Sequence, residues 1–239
     1  MSALFVIRAF SYLVLPLLLA GAVLVIDKRA NTRERRLETL AVFMFGFGAA
    51  SGIAGALGHF FASDAVAEAI GWPTGSPFQL EMGFANLAMG VLAAIAVSRR
   101  DGLREATVIG GAILSVGAFV VHMIDLIGHG NLAPGNTLIN VTNLGRPAVL
   151  IFLLWALRRA EASPGSEQEE ERFAGWQQAQ ASLGGTAGAG VGIGLGTGTA
   201  IGRPLVGLLL GLVGGVALGL VMRRRTLAQA AVVGPPAAD

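Results

Sequence analysis

Leu103 to Gly128 reads LREATVIGGAILSVGAFVVHMIDLIG. Between Glu105 and His122 it carries no ionisable residue. A helix needs about 20 predominantly apolar residues to cross the hydrocarbon core of a bilayer. The stretch therefore reads as a membrane-spanning helix. Its last third departs from that pattern: His122 and Asp125, followed by His129, put ionisable groups where hydrocarbon is expected.

Four more apolar runs of spanning length accompany it: Leu4 to Ile26, Thr39 to Ala62, Pro77 to Ser98 and Leu138 to Leu157. A glycine-rich pair follows, Leu183 to Gly202 and Leu205 to Met222, turning at Arg203-Pro204. Composition agrees. The chain of 239 residues is 54% apolar and 13% charged, with mean hydropathy +0.67; soluble domains run near 25% charged. The lipid bilayer is therefore the expected solvent. Cysteine is absent, which excludes disulfides, thiolate metal sites and cysteine nucleophiles. The net charge of +2 and isoelectric point near 9.9 do not indicate nucleic acid. The basic residues sit in short clusters between apolar runs, as membrane flanks do.

The expected fold is an all-α polytopic transmembrane bundle: a five-helix body over residues 1–159, then a C-terminal glycine-zipper helical hairpin over 183–225. Residues 160–182 read as a polar acidic linker with a short interfacial helix over 173–180, where Trp176 would lie at headgroup level. Residues 226–239 read as a disordered tail. Lys28 to Arg36, Arg99 to Arg104, Arg158-Arg159 and Arg223 to Arg225 all fall on one side if each run spans once. The positive-inside rule makes that side cytoplasmic, so the N-terminus is expected outside and the C-terminus inside a plasma membrane. The first run, with its basic residues after it and Arg8 within it, reads as an uncleaved anchor.

In the hairpin, Gly207, Gly211, Gly215 and Gly219 are four residues apart, as are Gly184, Gly188, Gly192, Gly196 and Gly190, Gly194, Gly198, Gly202. Such spacing clears one helix face for close backbone approach. It serves either a tightly packed hairpin or a surface for a homo-oligomer or membrane partner. No strand or βαβ unit accompanies these glycines, so they are not a dinucleotide fingerprint.

An ionisable group at the bilayer centre costs at least about 2.5–3.5 kcal/mol on insertion scales, so it faces protein or water. Counted by depth, Arg8, His59, Glu81, Asn86, His122, Asp125, Asn143 and Arg146 all fall toward the outer ends of their helices, with Trp72 and Gln79 in or after the adjoining loop. Arg8 and Arg146 would balance Glu81 and Asp125. The inner halves carry almost no polar groups, which disfavours a transport path. Ser63-Asp64 reads as a helix start, and the turns at Gly71 to Pro77 and Asn131 to Asn136 would lid the cluster. Three readings stay open. His59, His122 and His129 with a carboxylate could hold a metal ion, although His122 and His129 lie about 10 Å apart along one helix. The Arg, Asn and His donors could orient a small polar ligand such as a quinone head group. The same groups could instead be a structural hydrogen-bond network.

Gly58-His59-Phe60-Phe61, Ala67 to Pro73, Gly75 to Gln79, Glu81 and Gly83 to Leu87, with Asn131, Ala133 to Asn136 and Pro147, resemble an uncharacterised bacterial membrane protein family defined only as a domain of unknown function. The resemblance covers about residues 40–157. It implies a membrane protein in which the outer loops and the third helix matter, and it supplies no activity. Where that family tends to carry an aspartate early in its last helix, this chain has Asn143. Helix number and size also resemble the DoxX-like proteins. Two function classes follow: a non-enzymatic membrane protein binding a small ligand or partner subunit, and a metal- or quinone-linked membrane oxidoreductase or its accessory subunit.

Overall fold

The computed structural model describes residues 2–30, 32–160 and 167–232, which contain helices and no strand. In chain order these are α1 (Ser2–Ala9), a π-helical turn (Phe10–Val14), α2 (Leu15–Ile26), α3 (Arg33–Phe61), α4 (Ser63–Ile70) and α5 (Phe78–Ala96). Then come α6 (Gly102–His129), α7 (Pro134–Thr137), α8 (Asn140–Ala160), α9 (Glu167–Ala200) and α10 (Pro204–Val232). Six stretches are long and apolar enough to cross a membrane: Val6–Ile26, Arg33–Phe61, Phe78–Ala96, Gly102–His129, Pro134–Ala160 and Pro204–Gln229. The protein is an all-α, multi-pass membrane protein.

Local chemistry sets the helix ends. Thr32 caps α3 by accepting from the Arg35 amide at 3.2 Å, and Asp101 caps α6 by accepting from Leu103 at 3.1 Å. The Arg99 guanidinium bonded to Asp101 holds that carboxyl below the usual carboxylate range. Gly71 and Gly130 close α4 and α6 with φ of 83° and 67°, a left-handed conformation that favours glycine. In the first span, Pro16 has no N–H to offer the Tyr12 carbonyl. The ladder widens there into the π turn, where the Leu15 amide reaches back to the Phe10 carbonyl.

α3 is the axis of the bundle: 61% of its apolar window is buried, against 28% or less in the other five. Phe43 and Phe47 pack with Tyr12, Leu183 and Val191, while Met44 and Phe45 pack with Ala93, Ala96, Leu153 and Leu157. Glycine lets neighbours approach it closely. Gly52 meets Gly90 of α5, where an added Cβ would lie 2.6 Å from the Gly90 Cα. Gly46 meets Gly184 and Gly188 of α9, and Gly192 lies against Ala50. That register runs α9 parallel to α3. α10 returns along α9 with Gly207 against Gly194 and Gly211 against Gly190, backbone on backbone.

Two boundaries differ from the sequence expectation. The stretch from Glu167 belongs to one continuous 34-residue helix, α9, rather than to a linker with a separate interfacial helix. Trp176 is buried, because its indole and the neighbouring Gln177 and Gln180 find partners on the body. α10 continues to Val232, past Arg225, where the tail was expected to begin. The linker residues 161–166 and tail residues 233–239 lie outside the described residues. The bundle thus has a histidine end, where His59, His122 and His129 stand, and an opposite basic end.

Candidate functional site

Two loops meet at the histidine end. Gly135 of α7 packs on the Ala69 carbonyl of α4, where a Cβ would lie 2.5 Å away. Asn131 Nδ2 donates to the Ile70 carbonyl at 2.9 Å, and the Gly75 amide donates to Asp64 Oδ1 at 3.0 Å. Trp72 is thereby held over α6. Its indole Nε1 donates to Asp125 Oδ2 at 2.8 Å, and its ring stacks on His122 with centroids 5.5 Å apart. Asp125 also accepts from Asn131 Nδ2 at 2.6 Å and from His129 Nδ1 at 3.0 Å. His122, only 8% exposed, donates from Nδ1 to Asn136 Oδ1 at 2.7 Å. Asn136 donates in turn to the carbonyls of His122 and Asn131. The chain of amides continues through Asn140, which donates to the Asn136 carbonyl at 3.1 Å, to Asn143.

Trp72, His122, Asp125 and Asn143 of the expected set therefore belong to one network, joined by Asn131, Asn136, His129 and Asn140. His59 and Gln79 form a separate pair, with His59 Nδ1 donating to Oε1 at 2.8 Å. Asn86 bonds back to the Met82 carbonyl of its own helix. Glu81 is exposed, and among the described residues neither Glu81 nor Asp125 forms an ion pair with Arg8 or Arg146. The expected charge balance is not made.

The metal set is also corrected. Among the described residues no three His, Asp or Glu side chains are placed to hold one ion. Each histidine is turned to a different partner, and the seven-residue spacing of His122 and His129 holds because α6 does not break at Gly128.

The most buried charges lie at the basic end, where none were expected. Arg104, 3% exposed, grips Glu38, 0% exposed, with two bonds of 2.8 Å. It also donates to the Ala96 and Val97 carbonyls and lies 5.2 Å from the Phe45 ring centroid. Gln177 of α9 donates to the same Glu38 carboxylate at 2.9 Å. Alongside, Asp27 accepts from Trp176 at 3.3 Å, from Gln180 at 2.9 Å, and from Arg223 of α10. The caps at Thr32 and Asp101 place Glu38 inside α3 and Arg104 in the first turn of α6, but their burial as a pair follows only from packing between elements.

A shallow, open apolar groove runs along the outer face of α6, formed by Phe119, Val120, Met123, Ile124, Ile127 and Gly128 of that one helix, with Ile124 61% and Ile127 78% exposed. It borders the amide chain, with Met123 Sδ 4.0 Å from Asn140 Nδ2.

The model of a family of unknown function, DUF6790, matches residues 8–163. The chain belongs to that family. The DUF6790 region takes in the first five spans and both loops of the histidine end, and stops before α9 and α10. No curated protein and no solved structure matches the chain.

One prediction arises directly. Trp72→Phe keeps the ring beside His122 and removes one of three donors to Asp125. A loss of about 1.5 kcal/mol is expected, the lower end for a charge-assisted bond, since the Asp125 side chain is 19% exposed. Thermal unfolding in micelles reads it, and unchanged stability would show that the indole bond contributes nothing.

Proposed function

We propose that the protein is a non-enzymatic integral membrane protein that binds a small amphiphile at its histidine end. The observation that carries this reading is the apolar groove on α6 opening beside the Asn136–Asn140–Asn143 amide chain. An acyl or prenyl tail suits the groove, and carboxamides suit a neutral oxygen-bearing head. The acid–base candidates, Asp125 and His122, are already committed to fixed partners, which favours binding over proton chemistry.

The location is the plasma membrane, with the N-terminus outside and the C-terminus cytoplasmic. Support comes from the clustering of Arg29, Arg36, Arg99, Arg158 and Arg224 at one end. The hairpin acts as a glycine zipper first within the chain. Gly185, Gly196 and Gly214, whose added Cβ atoms would meet open space, are what remains for a homo-oligomer.

Mass spectrometry of protein released from native membranes tests the reading. Retention of an amphiphile near one per chain is expected, with at least a tenfold drop in Met123→Trp, which fills the groove. No retained amphiphile, or retention unaffected by Met123→Trp, would contradict it. A redox-active quinone as the retained species would favour the oxidoreductase reading instead.

A further inference from the structure

A second polar locus stands where the first span meets α8, and the amide chain does not use it. α8 touches the π turn at Gly145, whose Cβ would lie 2.7 Å from Leu13. Beside that contact Tyr12 is 6% exposed, and its phenol lies within electrostatic range of both Arg8 and Arg146. Arg8 acts on His59 as well. Arg146 is the seventh residue of α8, about 9 Å inward from Asn140 by helical rise. Both arginines are partly buried.

Two cations inside a membrane span call for negative charge, and none is provided here among the described residues. Asp125 is held by Trp72, Asn131 and His129, and Glu81 forms no ion pair among the described residues. The same π turn holds Ser11 Oγ, fully buried and without a hydrogen-bond partner among the described residues. A guanidinium is the side chain best matched to carboxylate and phosphate, which it binds through two parallel N–H bonds. Phe10, Val14 and Leu144 are exposed along the two elements, so access is from the lipid side rather than from water.

We propose that Arg8, Tyr12 and Arg146 form a binding site for the anionic head group of an acidic amphiphile, entering between the first span and α8. The two guanidiniums neutralise the head, and the Tyr12 hydroxyl donates to one of its oxygens. The tail lies along the exposed apolar side chains. The site is separate from the α6 groove and does not depend on that groove being occupied. The shared chemistry is an acid on an acyl chain, available either as a free fatty acid or as a phospholipid with a phosphomonoester head.

The test uses the full chain in phosphatidylcholine nanodiscs, titrated with oleate, phosphatidate and oleyl alcohol, with binding read by native mass spectrometry and melting midpoint. Oleate or phosphatidate is expected to bind at least tenfold more tightly than oleyl alcohol. Arg146→Gln and Arg8→Gln should each weaken the acid at least tenfold, while Arg146→Lys, which keeps the charge but not the paired N–H bonds, falls between wild type and Arg146→Gln, and Arg224→Gln at the basic end keeps all of the affinity. Oleate alone identifies a free fatty acid, and phosphatidate alone a phospholipid; either supports the site. Equal binding of oleyl alcohol, wild-type affinity in both glutamine variants, or an equal loss in Arg224→Gln would overturn it. Should Arg146→Gln fail to fold, Arg8→Gln and the comparison of head groups on the wild-type chain still decide. Met123→Trp leaves acid binding intact here, so failure at this site and failure at the groove are told apart.

Discussion

Glu38→Ala is expected to destabilise the bundle by about 3–5 kcal/mol, the cost of leaving the Arg104 guanidinium buried without its carboxylate. Arg104 is 3% exposed and sits between the Ala96 and Val97 carbonyls and the Phe45 ring. Arg104→Ala should cost a similar amount for the converse reason, because among the described residues Gln177 and the more distant Arg100 are what would then face the carboxylate. The double variant Glu38→Leu with Arg104→Met should recover most of either loss, since it removes both charges and keeps apolar volume. Thermal or denaturant unfolding in micelles measures all three. A double variant as unstable as the sum of its parts would show that the pair contributes through shape and not through charge.

Gly207→Ala is the second large effect. Its Cβ would run into the Gly194 carbonyl, and Gly211→Ala would run into the Gly190 carbonyl. Backbone cannot rotate away as a side-chain tip can, so the helices must separate, at about 1–3 kcal/mol for each site. Gly46→Ala should behave alike, because it meets the Gly184 carbonyl where α3 and α9 touch. Gly214→Ala meets open space and should be neutral or stabilise by up to about 1 kcal/mol, as replacing a mid-helix glycine usually does. Equal melting shifts at Gly207 and Gly214 would mean that close approach is not what joins α9 to α10.

Local rules made much of this fold legible. Apolar run length located all six stretches that are apolar enough to cross a membrane and added a seventh, Leu183 to Gly202 within α9, that is not among them, and Pro-Gly chemistry located both loops of the histidine end. Four-residue glycine spacing identified the face of α10 and the Gly190, Gly194, Gly198 face of α9 on which they meet, while the other α9 series, Gly184, Gly188 and Gly192, packs on α3 rather than within the hairpin. The contact of α9 with α3 was not legible, because Gly46 sits in an aromatic-rich run with no obvious stripe. Placement by depth gathered Trp72, His122 and Asp125 at one end. It could not show that Trp72 would occupy Asp125 across 53 residues of sequence and leave Arg8 and Arg146 without it. Arg104 was read as part of a basic flank, and Glu38, just past another, was given no role. Their burial follows from α9, whose Gln177 covers them, and that is a tertiary fact no local pattern carries.

An experimental density map of the protein in lipid nanodiscs, detailed enough to resolve acyl chains, tests binding at the histidine end most directly. The expected map shows an elongated chain in the α6 groove with its polar tip at Asn140, and Arg146 turned toward Tyr12 rather than toward a carboxylate. A groove closed by protein side chains, with Arg146 paired to Asp125 or Glu81, would contradict it.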